Sequence, residues 1–511
     1  MKLNKIIQGL ALLVVIALAT SCKKGTFNIN KNPNTPTDST IQYQTILPAA
    51  LNTTGAIVGN SWGWLQNWMG FWARSGSFAP NATEESYNVT TGFQTGIWSS
   101  LYDNNYDYDA IVRGSQKDGG TFYQAIGRIM KAHNFQILVD FYNKVPYFDA
   151  LKGNAVPTPK YDDGAVVYNE LFKQIDTAQA LFAATSLSSG SNKNGATDDI
   201  MFKGDLVKWQ KFCNTLRLRM LVHCYAVPGF NFAAQVAKMN PQGYLMSGES
   251  AEINPGYSAD KQNPFYGTYI RDVAGNVTGN NNFFRANTYA IGYYGYNGDP
   301  RRALFYTSVS GNYVGVAYGA APTTNNSTGK LSGIGTALGR GNTANQWLLT
   351  ATESLFLQAE ARQRGIISGS AIAAYNAAVT ESFVYCGSTA AAAAGYLAGN
   401  ATYPDVDFSV SSSQAGLGGG LYAIISQKWF ALNGFAPFEV YTDWRRTKIR
   451  YGSDPLVGYT QGPPISISPS NSSTVIPRRL LYPQTEYNYN AVNVGNVGTV
   501  NAFASKIFWD N

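Results

Sequence analysis

The sequence predicts a mostly helical protein, built from stacked helix pairs of tetratricopeptide type with irregular loops and a few short β-hairpins laid over them. Three observations predict this class. Apolar residues recur at three- and four-residue spacing in long segments, two such segments are adjacent, and a further amphipathic segment follows. The segments are 122–141, 167–182, 206–220, the adjacent pair 353–364 and 371–385, and 421–432. Short loops between them favour helical hairpins, although no strict repeat of about 34 residues is visible.

Residues 1–21 predict an export signal. Two lysines precede an apolar run over residues 6–19, and small residues then lead to Cys22. As a helix this run would span only ~21 Å, short of the ~30 Å hydrocarbon core of a bilayer. We therefore interpret it as a secretory signal rather than a membrane span. The motif LATSC favours a lipoprotein acylated at Cys22, and the alternative is ordinary signal cleavage that leaves Cys22 as a spare thiol.

The remaining chain is predicted to be a tether and one domain. Residues 22–40 are rich in Asn, Pro and Thr, which is typical of an extended linker, and the single domain would occupy residues 41–511. Loss of residues 1–21 lowers the formal net charge from +7 to +5, because two lysines lie there. This mild charge, without a Lys- or Arg-rich face, argues against nucleic acid as a partner.

The cysteines predict no disulfide framework. Cys213 and Cys224 lie eleven residues apart on one predicted helix, hence about 16 Å apart, beyond the reach of a disulfide. We expect these two and Cys386 to be buried thiols.

Residues 421–447 form the most informative segment. The amphipathic helix at its start should end near Gly434, which occupies the position of a C-terminal capping glycine. A second short helix is expected after it, with Tyr441 and Trp444 packed on the first. Arg445 and Arg446 are expected to bridge carboxylates or backbone carbonyls.

Two regions depart from helical periodicity and are the candidate binding surfaces. Residues 60–105 hold five of the ten tryptophans, and residues 253–345 are rich in Gly, Asn, Tyr and Thr. A sugar needs exposed aromatic planes for its C–H faces and amide, carboxylate or guanidinium groups for its hydroxyls. The candidate ligand-binding residues are Trp62, Trp64, Trp98, Asn104, Tyr289, Tyr293, Tyr294 and Tyr296.

The tryptophan candidates have a structural alternative. Trp64 shares one helical face with Trp68 and Trp72, and such a stripe is more often core than platform. Trp62 and Trp98 lie outside that stripe and are the preferred stacking platforms.

The other candidates also have alternatives. The four tyrosines at 289–296 surround glycines, which favours a displayed cluster of rings, and a β-hairpin that packs them on the body is an equal alternative. For Asn104 and its neighbour Asn105, the alternative is a solvated turn.

Catalytic and metal-binding motifs are weak. The chain has two histidines, His133 and His223, and both are interpreted as core residues of helices. Zinc-protease, nucleophile-elbow, phosphate-loop and C-x-x-C motifs are absent from the sequence. Residues 103–109 have the first spacings of a calcium loop without its glycine, so we predict a helical face of solvated carboxylates. Glu353 and Glu360 are interpreted as structural, and no catalytic residue, cofactor or metal is predicted.

Several motifs resemble the SusD/RagB family of nutrient-binding outer-membrane lipoproteins. The run QKWFALNGFAPFEVYTDWRRT at 427–447 resembles the C-terminal signature of that family. Other similar segments follow in the family's order: the lipoprotein-type start at Cys22, VPY at 145–147, WQKFCNTLRLRM at 209–220, DPR at 299–301, ESLFLQAEARQRG at 353–365, and RLLYPQTEYN at 479–488. Together they span nearly the whole mature chain.

The resemblance implies a scaffold of four tetratricopeptide-like helix pairs and a non-catalytic role. It implies a lipid-anchored, surface-exposed outer-membrane protein that captures oligosaccharides and delivers them to a SusC-type TonB-dependent transporter. Capture of peptides, as in RagB-like members, is the alternative within the family. An exported glycan-degrading enzyme and a purely structural envelope protein are alternatives from other classes.

Overall fold

Helices form most of the computed structural model, which describes residues 42–188, 190–412, 418–452 and 462–510. The α-helices are α1 (Tyr43–Asn60), α2 (Gly63–Trp68), α3 (Ala82–Glu85), α4 (Thr95–Ser115), α5 (Thr121–Tyr142), α6 (Gly164–Ala183), α7 (Gly195–Asp198), α8 (Leu206–His223), α9 (Phe232–Val236), α10 (Pro264–Tyr269), α11 (Gly279–Phe283), α12 (Thr288–Tyr296), α13 (Arg302–Phe305), α14 (Ala351–Gln363), α15 (Ala371–Tyr385), α16 (Ala390–Gly399), α17 (Gly419–Leu432), α18 (Pro437–Thr447), α19 (Gln484–Tyr489) and α20 (Ala491–Asn496). Residues from Tyr43 onward form one compact unit. The predicted signal, Cys22 and the tether lie outside the described residues.

The predicted mostly helical class is confirmed. Each of the six segments with helical periodicity falls on one helix, namely α5, α6, α8, α14, α15 or α17. Consecutive helices pack against each other, α4 on α5, α5 on α6 and α14 on α15, as expected for stacked helical hairpins. Their buried faces repeat every three to four residues, as Val167, Leu171 and Ile175 do on α6. In the described part of the chain, no helix combines the length and hydrophobicity that a membrane span requires.

One long helix was not predicted, and another was predicted only in part. Helix α1, which contains Pro48, was not predicted, and helix α4 begins inside the region expected to be non-helical. The apolar face of α4, with Leu101, Tyr108 and Ile111, is interrupted by buried Asn104. Tertiary contacts with α1 and α5 therefore stabilise a helix whose own sequence has weak helical periodicity. The predicted helical face at 103–109 is part of it.

The described strands are short and pair over long sequence separations. Strand β1 (Trp72–Arg74) is antiparallel to β3 (Phe284–Ala286), and β2 (Ala251–Ile253) is antiparallel to β4 (Gln346–Leu349). Neither pair is a hairpin of neighbouring segments, in contrast to the sequence prediction. The tyrosine-rich segment, for which a hairpin was the alternative, forms helix α12.

A network of buried charges joins the helices. On α18, Arg446 contacts Glu360 of α14 at 2.6 Å and Asp443 at 2.5 Å. Lys428 of α17 contacts Glu439 of α18 at 2.8 Å and Asp443 at 3.0 Å. All five side chains are at least nine-tenths buried. The structural role predicted for Glu360 and Arg446 is confirmed.

Helix α8 extends this network. Arg219 contacts Glu353 of α14 at 2.5 Å, and His223 lies 3.1 Å from Glu439. The other imidazole nitrogen lies 3.3 Å from Asp140 of α5. Burial alone would lower the pKa of His223, but the carboxylates of Glu439 and Asp140 raise it above its ordinary value.

The network also reaches distant segments. Asp140 accepts a hydrogen bond from the indole of Trp509 at 2.8 Å and one from the hydroxyl of Tyr168. Arg445 donates to the backbone carbonyls of Asp140 and Arg478. The expectation that Arg445 binds backbone carbonyls is confirmed, and the described cysteines are buried free thiols, as predicted.

Replacement of the central cation should strongly destabilise the fold. In Lys428→Met, Glu439 and Asp443 each lose one buried cationic partner, so we expect the free energy of unfolding to fall by about 3–5 kcal/mol. Lys173→Met is the matched control, because Lys173 is 69 % exposed and pairs with Glu170 on the surface; its effect should stay below about 1 kcal/mol. Urea unfolding of both variants measures the difference, and equal effects would contradict the central role of Lys428.

Glu84 of α3 is a buried carboxyl outside this network. Asn67 donates to its Oε1 at 2.6 Å, and the neighbouring Glu85 is paired with Arg74 at 2.5 Å. Burial raises the pKa of Glu84 from 4.5 to about 7, although the hydrogen bond from Asn67 favours the carboxylate. The folded state therefore binds this proton more tightly than the unfolded state does.

Stability should consequently fall as Glu84 ionises. Its favourable contribution is complete below pH 4.5 and is lost as the pH rises through about 7. At about 1.4 kcal/mol per pH unit, the loss is about 3 kcal/mol. In Glu84→Gln the free energy of unfolding should show a smaller fall between pH 5 and pH 8 than in the parent protein. Glu170→Gln, which removes a surface carboxyl, should retain the parent pH profile; a parent-like profile in Glu84→Gln would refute the assignment.

Candidate functional site

The structure places seven of the eight predicted ligand-binding side chains in the core. Only Tyr296 of that set reaches the surface, with 38 % of its area exposed. The seven that are no more than 6 % exposed are Trp62, Trp64, Trp98, Asn104, Tyr289, Tyr293 and Tyr294. A ligand that approaches this structure therefore meets Tyr296 and none of the other seven.

The first two tryptophans belong to an aromatic cluster. Trp62 stacks on Phe141 of α5 with 5.6 Å between ring centroids, and Phe438 of α18 lies 5.3 Å away. Trp64 meets Trp68 edge-on at 4.7 Å. Burying large aromatic surfaces joins α2 to α5 and α18, so these rings pack helices together instead of forming an exposed platform. All ten tryptophans of the chain are buried.

Trp98 packs among tyrosines. Its ring lies 4.8 Å from Tyr102, 4.9 Å from Tyr142 and 5.8 Å from Tyr482. These contacts cover both the face and the edges of the indole. The sequence analysis preferred Trp98 as a stacking platform because it lies outside the helical face of Trp64, Trp68 and Trp72. In the structure, Tyr482, in the segment before α19, packs against its ring.

Asn104 joins three helices through hydrogen bonds. Its amide donates to the carbonyl of Ala50 on α1 at 3.0 Å, and its carbonyl oxygen accepts from Thr54 at 2.7 Å and from Asn134 on α5 at 2.9 Å. The side chain is fully engaged in the core, so neither the ligand-contact prediction nor the solvated-turn alternative describes it.

Three tyrosines of α12 pack on the C-terminal segments. Asn287 caps this helix by accepting a hydrogen bond from the backbone of Tyr289. Tyr294 donates to the carbonyl of Phe430 on α17 at 2.6 Å, and Tyr289 donates to the carbonyl of Tyr451 at 2.6 Å. The ring of Tyr293 lies 4.5 Å from that of Phe430. Their hydroxyls and rings therefore position α12 against α17.

The end of α12 carries a group of side chains that we call the tyrosine surface: the exposed Tyr296 and the partly buried Arg302, Tyr313 and Tyr403. Tyr296 meets Tyr403 edge-on at 5.5 Å. The guanidinium of Arg302 lies over the ring of Tyr313 at 4.7 Å. A Cβ at Gly295 would lie only 2.4 Å from Nη1 of Arg302, so the glycine lets the guanidinium lie against the end of the helix. Sequence reasoning missed Tyr313 and Tyr403, because no local pattern links them to Tyr296.

A rigid layer supports the tyrosine surface. Next to Tyr296, Asn297 donates to Asp405 at 2.5 Å, and burial raises the pKa of Asp405 to about 6. Arg301 is fully buried, pairs with Asp299 at 2.6 Å and donates to Gln427 of α17 at 2.7 Å. These bonds fix both chain segments that carry Tyr296 and Tyr403.

The histidines and the paired carboxylates are structural, as the sequence indicated. His133 is completely buried, and burial lowers its pKa to about 3. His223, Glu353 and Glu360 belong to the ion-pair network within the helical base. Over the described ranges, no group of three or more His, Cys, Asp or Glu side chains is placed to hold a metal ion.

Comparison with known families decides the assignment. The family model for SusD-like proteins, described as starch-binding and associating with the outer membrane, matches residues 33–483. The chain belongs to the SusD-like family. Members of this family are non-catalytic binding proteins associated with the outer membrane. The predictions of a non-catalytic role and of an outer-membrane location are therefore confirmed. A comparison with curated proteins gave no match.

Solved structures of SusD-like proteins share this fold. A chitin-binding SusD homologue from Flavobacterium johnsoniae has a TM-score of 0.69 and 22 % identity, over 91 % of this chain and 98 % of that one. Another chitin-binding protein has a TM-score of 0.67 and 24 % identity, over 91 % and 100 %. A SusD homologue from Bacteroides fragilis has a TM-score of 0.69 and 19 % identity, over 91 % and 99 %.

In this SusD-like protein, the family motifs hold the scaffold. The DPR motif provides the buried Asp299–Arg301 pair, and the QKW motif provides Lys428 and Trp429. The indole of Trp429 donates to the carbonyl of Met69 at 3.0 Å. These two motifs therefore stabilise the fold through buried ion pairs and hydrogen bonds.

Because Trp62 is buried and Tyr296 is exposed, replacing each ring should change the stability of the fold by a different amount. Trp62→Ala removes a ring that is 3 % exposed, so we expect the free energy of unfolding to fall by about 3–5 kcal/mol. Tyr296→Ala should change it by less than about 1 kcal/mol, because that ring is substantially exposed. Urea unfolding of the two variants compares them directly. A Trp62 variant as stable as the parent would show that this ring is not a core residue.

Proposed function

We propose that this SusD-like protein captures oligosaccharides at the tyrosine surface and delivers them to a SusC-type TonB-dependent transporter. The nutrient-binding role and the outer-membrane association are family properties. The proposal adds to these properties a glycan as the ligand, the tyrosine surface as its site and a SusC-type transporter as the partner. Acylation at Cys22 and the tether at 22–40 would keep the protein beside such a transporter.

The observation that carries the proposal is the exposed ring of Tyr296 on a rigid support. A sugar presents a flat C–H face, for which an exposed aromatic ring is the complementary partner. The neighbouring guanidinium of Arg302 has several N–H donors in a plane, which suit hydroxyl oxygens. Tyr403 adds a second ring beside Tyr296, and Tyr313 adds one beneath the guanidinium of Arg302. The two similar structures named as chitin-binding proteins support glycans as the ligand class to test first.

Calorimetry with chitotetraose, maltotetraose and tetraalanine tests the site. The chain from residue 23 onward should bind at least one of the saccharides, and Tyr296→Ala should weaken that binding about tenfold, or about 1.4 kcal/mol. Tyr106→Ala is the matched control, because Tyr106 is also 38 % exposed but lies on α4 of the helical base. It should bind as the parent does.

Other results would redirect the assignment. Binding of tetraalanine alone would favour the RagB-like alternative of peptide capture. Saccharide binding that is unchanged in Tyr296→Ala would contradict the tyrosine surface as the site while leaving the ligand class in place.

A further inference from the structure

A groove of about 710 Å³ lies between α6, α8 and the turn that follows α9, and it shares no residue with the tyrosine surface. One wall is a single face of α6, formed by Asp176, Gln179, Ala180 and Ala183 at helical spacing. Gln210 of α8 faces this wall. Its volume falls within the range of about 300–1,000 Å³ that is usual for small-molecule sites.

The groove is preformed by one buried side chain, Asn214 of α8. Its amide donates to the carbonyls of Asn240 and Gly243 at 2.9 and 2.8 Å. Its carbonyl oxygen accepts from the amide of Gln179 at 2.8 Å and from the backbone of Asn240 at 3.1 Å. Asn214 is 1 % exposed, so these bonds fix the turn after α9 against α6 and α8 without access to water.

Several polar groups of the lining remain available. Among the described residues, no hydrogen bond engages the side-chain amides of Gln210 and Gln242 or the Oε1 of Gln179. Gln179 is itself only 7 % exposed, and its bond to Asn214 fixes the orientation of its amide. The groove thus offers one fixed acceptor, the Oε1 of Gln179, and the unengaged side-chain amides of Gln210 and Gln242.

The charges of the lining are paired with each other. Lys238 contacts Asp176 at 2.8 Å, and Arg217, buried behind the wall, holds the other oxygen of that carboxylate. The apolar part of the lining consists of the methyl groups of Ala180 and Ala183 and the ring of Pro241. Such a surface favours a neutral ligand with many hydroxyls, because each hydroxyl both donates and accepts a hydrogen bond.

We propose that this groove is a second saccharide site, which binds a neutral sugar unit through amides and the Asp176–Lys238 pair without aromatic stacking. This second site rests on the proposed function, because it takes the ligand to be a glycan and gives that glycan a second place of contact on the protein. A long oligosaccharide, or two separate chains, would then be held at two places on the protein.

The lining favours a sugar over a peptide. An extended peptide is usually bound along a strand edge with free backbone groups, or through pockets for its side chains. Two walls here are helices α6 and α8, whose backbone groups bond within the helix. In the turn after α9, the backbone N–H of Gln242 and the carbonyl of Asn240 are already bonded to side chains. The lining has no deep apolar pocket in which a peptide side chain would be anchored.

Chemical protection of Lys238 locates the ligand. The full chain, purified in detergent, is acetylated in the presence of maltotetraose, chitotetraose, cellotetraose or tetraalanine, and each lysine is followed by mass spectrometry. We expect at least one saccharide to slow the acetylation of Lys238 at least threefold. Lys173 is the matched control, because it is also a partly exposed lysine paired with a carboxylate, and its rate should not change.

Variants separate this site from the tyrosine surface. Protection of Lys238 should persist in Tyr296→Ala and should require at least tenfold more saccharide in Gln210→Ala/Gln242→Ala. Gln116→Ala, an exposed glutamine elsewhere, should behave as the parent does.

Three results would overturn the second site. One is that saccharides still bind in a Tyr296-dependent way but do not slow the acetylation of Lys238; this result would leave the proposed function standing. Another is that only tetraalanine protects Lys238. The last is that saccharides protect Lys238 equally well in the parent protein and in Gln210→Ala/Gln242→Ala. Absence of saccharide binding by any measure would overturn both proposals together.

Discussion

Glu439 and its partners impose the central constraint on this fold, because a buried charge is stable only while every opposite charge around it is in place. Helices α5, α8, α14, α17 and α18 each contribute at least one member of the network. No helix of this group can shift without leaving a charge unpaired away from water. The helical base is therefore held in one arrangement by electrostatics as well as by apolar packing.

This rigid base permits irregular structure above it. The segments between α10 and β4 have little regular structure, yet Arg301, oriented by Asp299, bonds to Gln427 of α17, and Asn297 bonds to Asp405. The tyrosine surface is exposed at the edge of this layer. Loops supported in this way can vary in sequence and in ligand while the scaffold remains constant, which is the usual arrangement of a binding protein.

Sequence reasoning worked where one physical signal dominated. The apolar faces of α5, α6 and α8 recur at helical spacing because each helix buries one side, and the family motifs identified the scaffold. It failed for α4, where buried Asn104 interrupts the apolar face, and its hydrogen bonds to other helices leave no local trace. It also failed for Trp62 and Trp98, since aromatic rings suit a core and a sugar platform equally well. The prediction that Tyr296 is displayed at the surface agrees with its exposure in the structure. Its neighbour Tyr403 was not predicted, because it is distant in the sequence and comes close only in the folded chain.

The hydrogen bond between Asp140 and Trp509 joins residues 369 positions apart in the chain. During synthesis, Asp140 emerges long before the indole that completes its surroundings. A native contact of such high sequence separation forms only after the C-terminal segment has been synthesised. The packing around α5 is therefore complete only when the last segment of the chain has joined the helical base.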